Sequence, residues 1–510
     1  MTSTVTIPFD NSFSRLPEQF YTRQDPVPVA APKLIKVNED LATLMGIDPA
    51  ELKSEDGVQM LAGNSVPNGA SPLAMVYAGH QFGGWSPRLG DGRAILLGET
   101  VGTDGIRRDI HLKGSGRTPY SRGGDGRAWL GPVLREYVIS EAMAALDIPT
   151  TRALAAVETG NKVLREEGPL PGAIITRVAQ SHIRVGTFQY HYSRGDQDAL
   201  RTLANYVIDR HYPDAKQAQN PYRALIEMVM DRQARLIAKW MQVGFIHGVM
   251  NTDNMSVAGE TIDFGPCAFM DTYHPGTVFS SIDHAGRYAW AKQPGMAHWN
   301  LSQFAQSLLP TLHEEAQVAV GIGQETIDEF QDIFSGYYFE GFGKKLGLTT
   351  LQHGDPDFIG DSLKILSDNE VDFTLFFRHL TGFARSDLGQ DQDAPKQEQE
   401  QTQDHKQKLQ NLFKNPEALT NWLSQWQARQ DQEKASPKER LEIMRKSNPI
   451  FIPRNHQVEA MIQAAVAGDY APFEQLHSLL SAPFTEQPDN ARYEEPPKPE
   501  EVVHATFCGT

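Results

Sequence analysis

Short apolar runs of β-type residues dominate the pattern between residues 93 and 190, whereas helical spacing dominates afterwards. These runs predict strands at Arg93–Glu99, Arg108–Lys113, Ala153–Glu158, Ala173–Val178 and Ile183–Tyr190. An Asp-Gly turn signal between the first two strands predicts a hairpin that ends in a lysine. The pattern therefore indicates an α+β fold that changes from strand-rich to helix-rich near residue 195.

Apolar residues recur at helical spacing in three long stretches of the chain. We predict helices at Val133–Leu146, Asp198–Arg210 and Tyr222–Val243, with more helix over residues 300–385. The first of these helices carries two carboxylates, Glu136 opposite its apolar stripe and Glu141 at the stripe's edge.

Composition divides the 510 residues into six segments, which is compatible with one large two-lobed enzyme. The segments are an N-terminal arm (1–70), a strand-rich part (71–195), a helical part (196–385), a low-complexity loop (386–408), a helical extension (409–492) and a mobile tail (493–510). The loop is expected because Gln390–Lys408 is rich in Gln, Glu and Asp.

Charge and apolar content exclude several classes of protein. Lys and Arg total 47 against 64 Asp and Glu, a net charge of −17, whereas general binders of nucleic acid or anionic membranes are more basic. No apolar run is long enough to span a membrane, and the first residues lack an export signal. We therefore expect a cytoplasmic protein with neither nucleic acid nor membrane as a partner.

One segment departs from this acidic balance. Between Gly83 and Gly131 lie 13 of the 42 glycines, and Arg88–Arg135 holds nine Lys or Arg against five Asp or Glu. Glycines let the backbone approach a ligand closely, and guanidinium groups suit polyphosphate oxygens. The segment predicts a local anion site, although it contains no complete G-x-G-x-x-G or Walker motif.

A candidate metal pair lies further along the chain. If Ala258-Gly259 forms a two-residue turn, Asn254 and Asp263 stand opposite each other at the open end of a hairpin. Their amide and carboxylate oxygens are hard ligands that suit Mg²⁺, with substrate phosphates and water completing the octahedron. A surface hairpin with no metal is the alternative.

The order of these features matches protein kinases, with one departure. A strand lysine, Lys113, precedes a helix glutamate, for which we favour Glu136 over Glu141, and His247 and Asn254 precede Asp263-Phe264-Gly265. Kinases carry a catalytic aspartate two residues after the histidine, and here that position is Val249. A valine cannot accept a proton, so the usual phosphoryl-transfer base is absent.

Several longer runs together resemble the selenoprotein O family, which includes the bacterial YdiU proteins. The similar runs are Tyr77–Gly83, Leu89–Ala94, Leu112–Arg122, Gly124–Ala128, His247–Asn254, Asp263–Gly265, Asn448-Pro449 and Arg454-Asn455. The resemblance implies a protein-kinase-like fold, with a strand-rich N-lobe, a helical C-lobe and a C-terminal helical extension. It also implies a protein adenylyltransferase that moves AMP from ATP to Ser, Thr or Tyr hydroxyls of proteins and releases pyrophosphate.

The resemblance assigns roles by motif position, with ATP bound in the reverse of its orientation in kinases. Asp253 would be the catalytic base, and Asn254 and Asp263 would bind Mg²⁺, with Mn²⁺ as the alternative. The nucleotide would be bound by Gly90, Gly92, Arg93, Lys113, Asp125, Gly126, Arg177, Arg184 and Asp263. Lys113, Arg177 and Arg184 would hold the inward phosphates.

Two other functions and one regulatory hypothesis stay open on the sequence alone. The alternatives are a kinase that transfers the γ-phosphate to a protein or small molecule, and an inactive nucleotide-binding pseudokinase that acts as a scaffold. The regulatory hypothesis is a redox-sensitive disulfide between Cys267, two residues after Gly265, and Cys508, where selenium-containing members carry selenocysteine. Two unrelated thiols are the alternative.

Overall fold

A computed structural model describes residues 2–3, 5–166, 168–384 and 396–507 of the chain. The strands are β1 Thr2–Ser3, β2 Tyr21–Arg23, β3 Lys33–Val37, β4 Val66–Pro67, β5 Leu73–Met75, β6 Gly79–Gln81, β7 Gly84–Ser86, β8 Ala94–Val101, β9 Arg107–Lys113, β10 Ala128–Trp129, β11 Arg152–Arg165, β12 Gly168–Ala179, β13 Phe245–Ile246 and β14 Ala268–Phe269. The helices are α1 Glu39–Leu44, α2 Pro49–Lys53, α3 Glu55–Leu61, α4 Leu130–Ala145, α5 Val185–Tyr192, α6 Gln197–His211, α7 Pro221–Gln242, α8 Gln293–Leu312, α9 Ala316–Asp328, α10 Phe330–Lys345, α11 Asp355–Asp368, α12 Phe373–Ala384, α13 Lys396–Asn411, α14 Pro416–Gln430, α15 Pro437–Ser447, α16 Asn455–Val466 and α17 Ala471–Leu480.

An antiparallel sheet organises the first part of the chain. Its strand order is β2-β5-β8-β9-β12-β11-β3, and β10 pairs with β12 in addition. The β8–β9 hairpin confirms the predicted one, and its loop turns at Gly105, where φ is +76°. Strands β2 and β3 come from the N-terminal arm, so the arm contributes both outer strands of this sheet.

Strand alternation sends functional side chains to one face of the sheet and apolar ones to the other. In β9, Ile110 and Leu112 pack in an apolar cluster with α1, α2 and α3, while His111 and Lys113 point to the opposite face. In β12, Arg177 pairs in register with His111 and shares that face. Because side chains alternate along a strand, one short stretch supplies both core and site.

Helix α4 lies on the functional face of the sheet and is buried on nearly all sides. It packs on β11 and β12, and α16 and α17 from the C-terminal segment cover it from outside. A helix that is packed between two layers has no face exposed to solvent, so residues opposite its apolar stripe are buried as well. This burial explains how Glu136 can be nearly inaccessible to solvent although the sequence places it opposite the apolar stripe.

The remainder of the described chain is largely helical, and α7 and α8 pack on each other and on α9 and α10. The short antiparallel pair β13–β14, in which Phe245 faces Phe269, interrupts the helices, and its residues belong to the largest apolar cluster. The change from strands to helices occurs near residue 180, close to the expected position. No helix among the described residues is both long enough and apolar enough to cross a membrane.

The predicted strand Ile183–Tyr190 is wrong, because most of it belongs to helix α5. Arg184 caps this helix through a reciprocal pair of contacts with Thr187. Both Val185 and Phe188 are buried. A short apolar run gives no clear period, so alternation alone cannot separate a buried strand from a buried helix.

The loop predicted at 386–408 is also wrong where it can be compared. Residues 385–395 lie outside the described residues, but α13 begins at Lys396 and continues past the predicted end of the loop. Gln, Glu and Lys are good helix formers, and Lys408 pairs with Asp404 one turn earlier at 2.8 Å. Low complexity here reflects helix propensity rather than a solvated loop.

Candidate active site

A cavity of about 440 Å³ lies between the functional face of the sheet and the segment from Val249 to Pro266. All eleven residues to which the sequence assigned a site role line this cavity: Gly90, Gly92, Arg93, Lys113, Asp125, Gly126, Arg177, Arg184, Asp253, Asn254 and Asp263. They come from separate strands, loops and helix ends. The fold therefore brings one constellation together from positions up to 173 residues apart in sequence (263 minus 90).

Three cations converge on the carboxylate of Asp263. Lys113 Nζ and Arg177 Nη1 donate to Oδ1 at 3.1 and 2.6 Å, and Arg184 Nη1 donates to Oδ2 at 2.6 Å. Burial alone raises a carboxyl pKa, but Arg184, Lys113 and Arg177 together hold the pKa of Asp263 well below its usual value. The backbone of Asp263 is left-handed, with φ of +62°, a conformation that is uncommon for non-glycine residues and that Asp adopts more readily than most.

Lys113 is also paired with a helix carboxylate. Its Nζ donates to Glu136 Oε2 at 2.6 Å, and Arg177 Nη1 donates to Glu136 Oε1 at 3.2 Å. Glu141 instead accepts from Arg152 at 2.7 Å, away from the cavity. The sequence-based choice of Glu136 over Glu141 is confirmed.

Buried partners orient the two arginines. Arg177 Nη2 donates to His111 Nδ1 at 3.0 Å, which leaves His111 Nε2 to donate to Asp91 Oδ2 at 3.2 Å. Arg184 lies over the ring of Tyr77, with 4.6 Å from its guanidinium carbon to the ring centroid. Planar guanidinium groups held on two sides point their remaining N–H groups in fixed directions, which suits recognition of an anion.

Two glycine-containing turns form another wall of the cavity. Gly90 has φ of +124°, and a Cβ there would lie 2.5 Å from Tyr120 Cγ. A Cβ on Gly92 would lie 2.8 Å from the carbonyl oxygen of Tyr120, and one on Gly126 would lie 2.2 Å from the carbonyl carbon of Gly116. Only glycine fits these positions, so the backbone itself lines the cavity.

The charged residues at this wall have defined contacts. Asp125 Oδ1 accepts from the backbone N–H of Arg127 at 2.9 Å, and its Oδ2 accepts from Arg165 Nη1 at 2.9 Å. Arg93 lines the cavity, and its carbonyl oxygen accepts from the backbone N–H of Gly114 at 2.7 Å. The sequence analysis did not predict the ion pair between Asp125 and Arg165.

Asp253 lies in a one-turn 3-10 helix, Thr252–Asn254, directly before the candidate metal ligand Asn254. Its side chain is buried, with Oδ2 accepting from Gln81 Nε2 at 3.1 Å and Oδ1 without a hydrogen-bond partner. Arg184 Nη1 donates to its carbonyl oxygen at 2.6 Å. Burial raises the pKa of Asp253 to about 6, although Arg184 acts in the opposite direction.

Asn254 and Asp263 share the cavity, but the hairpin predicted between them is wrong. The chain does turn at Gly259, where φ is +78°, yet the two arms pair elsewhere. Ser256 pairs with Arg184 and Thr261 pairs with Thr150. The backbone groups on either side of Gly259 therefore pair with neighbouring elements instead of with each other. No local sequence pattern predicts this pairing.

A family model described as "Protein adenylyltransferase SelO" matches residues 3–481 of the chain. The chain belongs to the SelO family. Proteins named "Protein nucleotidyltransferase YdiU" are similar to this SelO family member over 99% of its length: that of Rhodopseudomonas palustris (strain HaA2) is 55% identical over 511 residues, covering 100% of that relative, and that of Methylorubrum populi (strain ATCC BAA-705 / NCIMB 13946 / BJ001) is 54% identical over 508 residues, also covering 100%. Membership in this family makes the chain a nucleotidyltransferase, and the sequence-based resemblance is confirmed.

In this SelO family member the run His247–Asn254 corresponds to the catalytic loop of kinases and is given that name, and its histidine has a structural role. His247 Nε2 contacts Ile262 O at 2.8 Å, and the ring stacks on Trp240 with 5.3 Å between centroids. It therefore links the catalytic loop to the residue before Asp263. Val249 lines the cavity at the position of the kinase aspartate, so no carboxylate is present there.

The two cysteines of this SelO family member cannot be compared directly, because Cys508 lies outside the described residues. Cys267 is buried, and burial raises the pKa of its thiol to about 11. The tail was expected to be mobile, yet Thr506 donates to Pro266 O at 2.6 Å and to Phe279 O at 2.7 Å. The described end of the tail thus lies beside the segment that follows Asp263.

Sequence reasoning missed several residues that shape the site. Tyr77 and Gln81 belong to a run that carried the family resemblance but received no role, and Asp91 was read only as the residue between two glycines. A polar side chain inside an apolar or glycine-rich run is the signal that could have singled them out. Their partners are distant in sequence, so the contacts themselves required the fold.

Proposed function

We propose that this chain transfers AMP from ATP to the hydroxyl group of a Ser, Thr or Tyr side chain of a protein and releases pyrophosphate. The observation that supports this most is the closed cationic end of the cavity, where Lys113, Arg177 and Arg184 surround Asp263. Each of these three cations is less than a tenth exposed. Such an end suits the terminal phosphates, which carry most of the negative charge of ATP.

The wall formed by the glycine-containing turns suits the nucleoside half of ATP. Gly90, Gly92 and Gly126 leave room where side chains would otherwise stand, and Asp125 offers a carboxylate to hydroxyl groups. With the terminal phosphates held at the cationic end, the α-phosphorus would be the reacting atom within reach of Asp253. This arrangement reverses the orientation of ATP in kinases and favours transfer of AMP.

The donor set fits a magnesium ion held jointly with phosphates. Asn254 Nδ2 donates to Val249 O at 3.0 Å, which turns its amide oxygen toward other partners, and Asp263 adds a carboxylate. Among the described residues no group of three or more His, Cys, Asp or Glu side chains is placed to hold a metal alone. We therefore propose Asn254 and Asp263 as Mg²⁺ ligands, with Mn²⁺ as the alternative. Bound there, the metal would neutralise phosphate charge.

Asp253 would act as the general base. The acceptor hydroxyl gives its proton to the Asp253 carboxylate while its oxygen forms a bond to the α-phosphorus of ATP. The bond between the α-phosphorus and the bridging oxygen to the β-phosphorus breaks, and pyrophosphate leaves with that electron pair. A carboxyl whose pKa lies near 6 is ionised at neutral pH and still basic enough for this transfer.

We further propose a protein-kinase-like arrangement of two lobes, with the boundary near residue 195. The strand-rich part would be the N-lobe and the helical part the C-lobe, as the sequence resemblance implies. The Lys113–Glu136 ion pair between β9 and α4 supports this, since kinases join a strand lysine to a helix glutamate in the same way. The cavity would then lie in the cleft between the lobes.

ATP labelled at either the α- or the γ-phosphorus tests the proposal. We expect label on the protein acceptor from α-labelled ATP only, and label in pyrophosphate from γ-labelled ATP. Asp253→Ala should bind ATP normally but transfer at least about 100-fold more slowly, as expected for loss of a general base. Label on the acceptor from γ-labelled ATP would instead identify a kinase, and tight ATP binding with no transfer would identify a scaffold.

A further inference from the structure

A small hairpin outside the main sheet borders the mouth of the cavity. Strands β6 and β7 pair with His80 opposite Trp85, and the turn consists of Phe82 and Gly83 with φ of 51° and 85°. Positive φ at both turn residues is the geometry of a tight two-residue hairpin, but it is unusual for a phenylalanine. Gln81 and Phe82 both line the cavity.

Three consecutive residues of this hairpin hold the catalytic loop. His80 donates its backbone N–H to Thr252 Oγ1 at 2.8 Å, and Phe82 donates its backbone N–H to Asn251 Oδ1 at 3.0 Å. Between them, Gln81 donates from its side-chain Nε2 to Asp253 Oδ2 at 3.1 Å. Three consecutive hairpin residues are therefore tied to the three consecutive loop residues Asn251, Thr252 and Asp253.

The other side of the hairpin is anchored in the helical part of the protein. The His80 ring contacts Trp85 and Trp299, with centroid distances of 4.8 and 5.2 Å, and His80 Nδ1 contacts Gln189 Nε2 at 3.0 Å. The amide of Gln189 also donates to Gln303 Oε1 at 3.3 Å. Anchoring of this kind reduces the freedom of a side chain that must hold another in a fixed geometry.

We infer that Gln81 is a positioning residue for the base Asp253, an inference that rests on the proposed function. Its amide occupies one lone pair of Oδ2 and fixes the rotation of the carboxylate. Oδ1 is buried and has no hydrogen-bond partner, whereas Oδ2 keeps a second lone pair that can accept the hydrogen of the incoming hydroxyl. The absence of a side chain at Gly79 leaves room for this carboxylate, because a Cβ there would lie 2.5 Å from Asp253 Oδ1.

A neutral amide is the right chemical group for this role. An apolar side chain at position 81 would leave the carboxylate free to rotate away from the acceptor. Glutamine donates a hydrogen bond and adds no charge, so it holds the base in place.

Gln81→Met tests the inference, since methionine has similar length and no N–H donor. We expect kcat for AMP transfer to fall by about tenfold or more, with the KM values for ATP and for the protein acceptor changed by less than about threefold. Gln324→Met is the matched control, because Gln324 is an exposed residue of α9 whose Nε2 also donates to a carboxylate, Asp328 Oδ1, at 2.6 Å. We expect the control to keep the kcat of the wild type.

A double variant separates positioning from general damage to the cavity. If Gln81 acts through the carboxylate, Gln81→Met should not lower the residual transfer rate of Asp253→Ala any further. An additional loss in that background, or a kcat equal to wild type in Gln81→Met alone, would overturn the inference while Asp253→Ala still confirms the base. A wild-type protein that transfers no AMP would overturn the proposed function, and this inference with it.

Discussion

At the scale of single residues, Gly90 is a position where both the backbone conformation and the surrounding atoms exclude a side chain. Its φ of +124° is unfavourable for any side chain, and a Cβ would lie 2.5 Å from Tyr120 Cγ and 2.9 Å from the carbonyl oxygen of Met75. We expect Gly90→Ala to weaken ATP binding at least about tenfold and to lower the free energy of unfolding by about 1–3 kcal/mol. Nucleotide titration and urea unfolding measure the two effects.

Gly105→Ala is the matched control for this prediction. Gly105 also has positive φ, at +76°, but no heavy atom lies within 4 Å of the position that its Cβ would take. We expect this variant to lose about 1 kcal/mol of stability and to bind ATP like the wild type. Unchanged ATP affinity in Gly90→Ala would show that this wall does not bind the nucleotide.

At the scale of secondary-structure elements, α10 carries a lysine in an apolar environment. Lys345 Nζ lies 4.1 Å from the ring centroid of Phe377 and 5.6 Å from that of Phe373, both on α12. It also donates to Ser447 O at 3.3 Å. Burial lowers the pKa of Lys345 to about 7, because the charged form loses hydration.

This shift gives the stability of the protein a predictable pH dependence. Between about pH 7 and the ordinary lysine pKa, Lys345 is protonated in the unfolded chain but not in the folded chain. The contribution of Lys345 to the free energy of unfolding therefore becomes less favourable as the pH is lowered through this range. Below about pH 7 both states are protonated, and the destabilisation is complete. We expect Lys345→Met to raise the free energy of unfolding by about 1–4 kcal/mol at pH 6.5, and by less at pH 9.

Urea unfolding at the two pH values measures this effect, with Lys344→Met as the control. Lys344 is exposed and pairs with Glu340 one turn earlier on the same helix at 2.6 Å. We expect its replacement to change stability by less than about 0.5 kcal/mol at either pH. A gain in Lys345→Met that is equal at both pH values would contradict the assigned pKa.

The elements differ in how well the sequence predicts them, for a physical reason. The hairpin β8–β9 has a local turn signal and a clear alternation, so its prediction is confirmed. Residues 185–190 form a helix because a capping contact at Arg184 and burial on several sides outweigh an ambiguous pattern. The segments on either side of Gly259 pair with segments that are distant in sequence. A short window of sequence cannot predict such pairing.

At the scale of the whole molecule, motif order predicts which residues belong to the site but not how the site is supported. Lys113, Glu136 and Asp263 are recognisable by type and order, and the fold places them in contact. The support comes from unrelated regions: Arg454 of the C-terminal segment pairs with Asp271 at 2.5 Å, and Asn455 donates to Phe269 O at 3.1 Å. These contacts span more than 180 residues, so only the tertiary structure reveals them.

The orientation of the bound triphosphate tests the account most directly. A crystal structure of the protein with Mg²⁺ and a non-hydrolysable ATP analogue would show which phosphorus lies next to Asp253. We expect the terminal phosphate at the buried cations Lys113, Arg177 and Arg184, with the α-phosphorus nearest to Asp253. A γ-phosphorus nearest to Asp253, with the nucleoside at the buried end, would contradict AMP transfer and support phosphorylation instead.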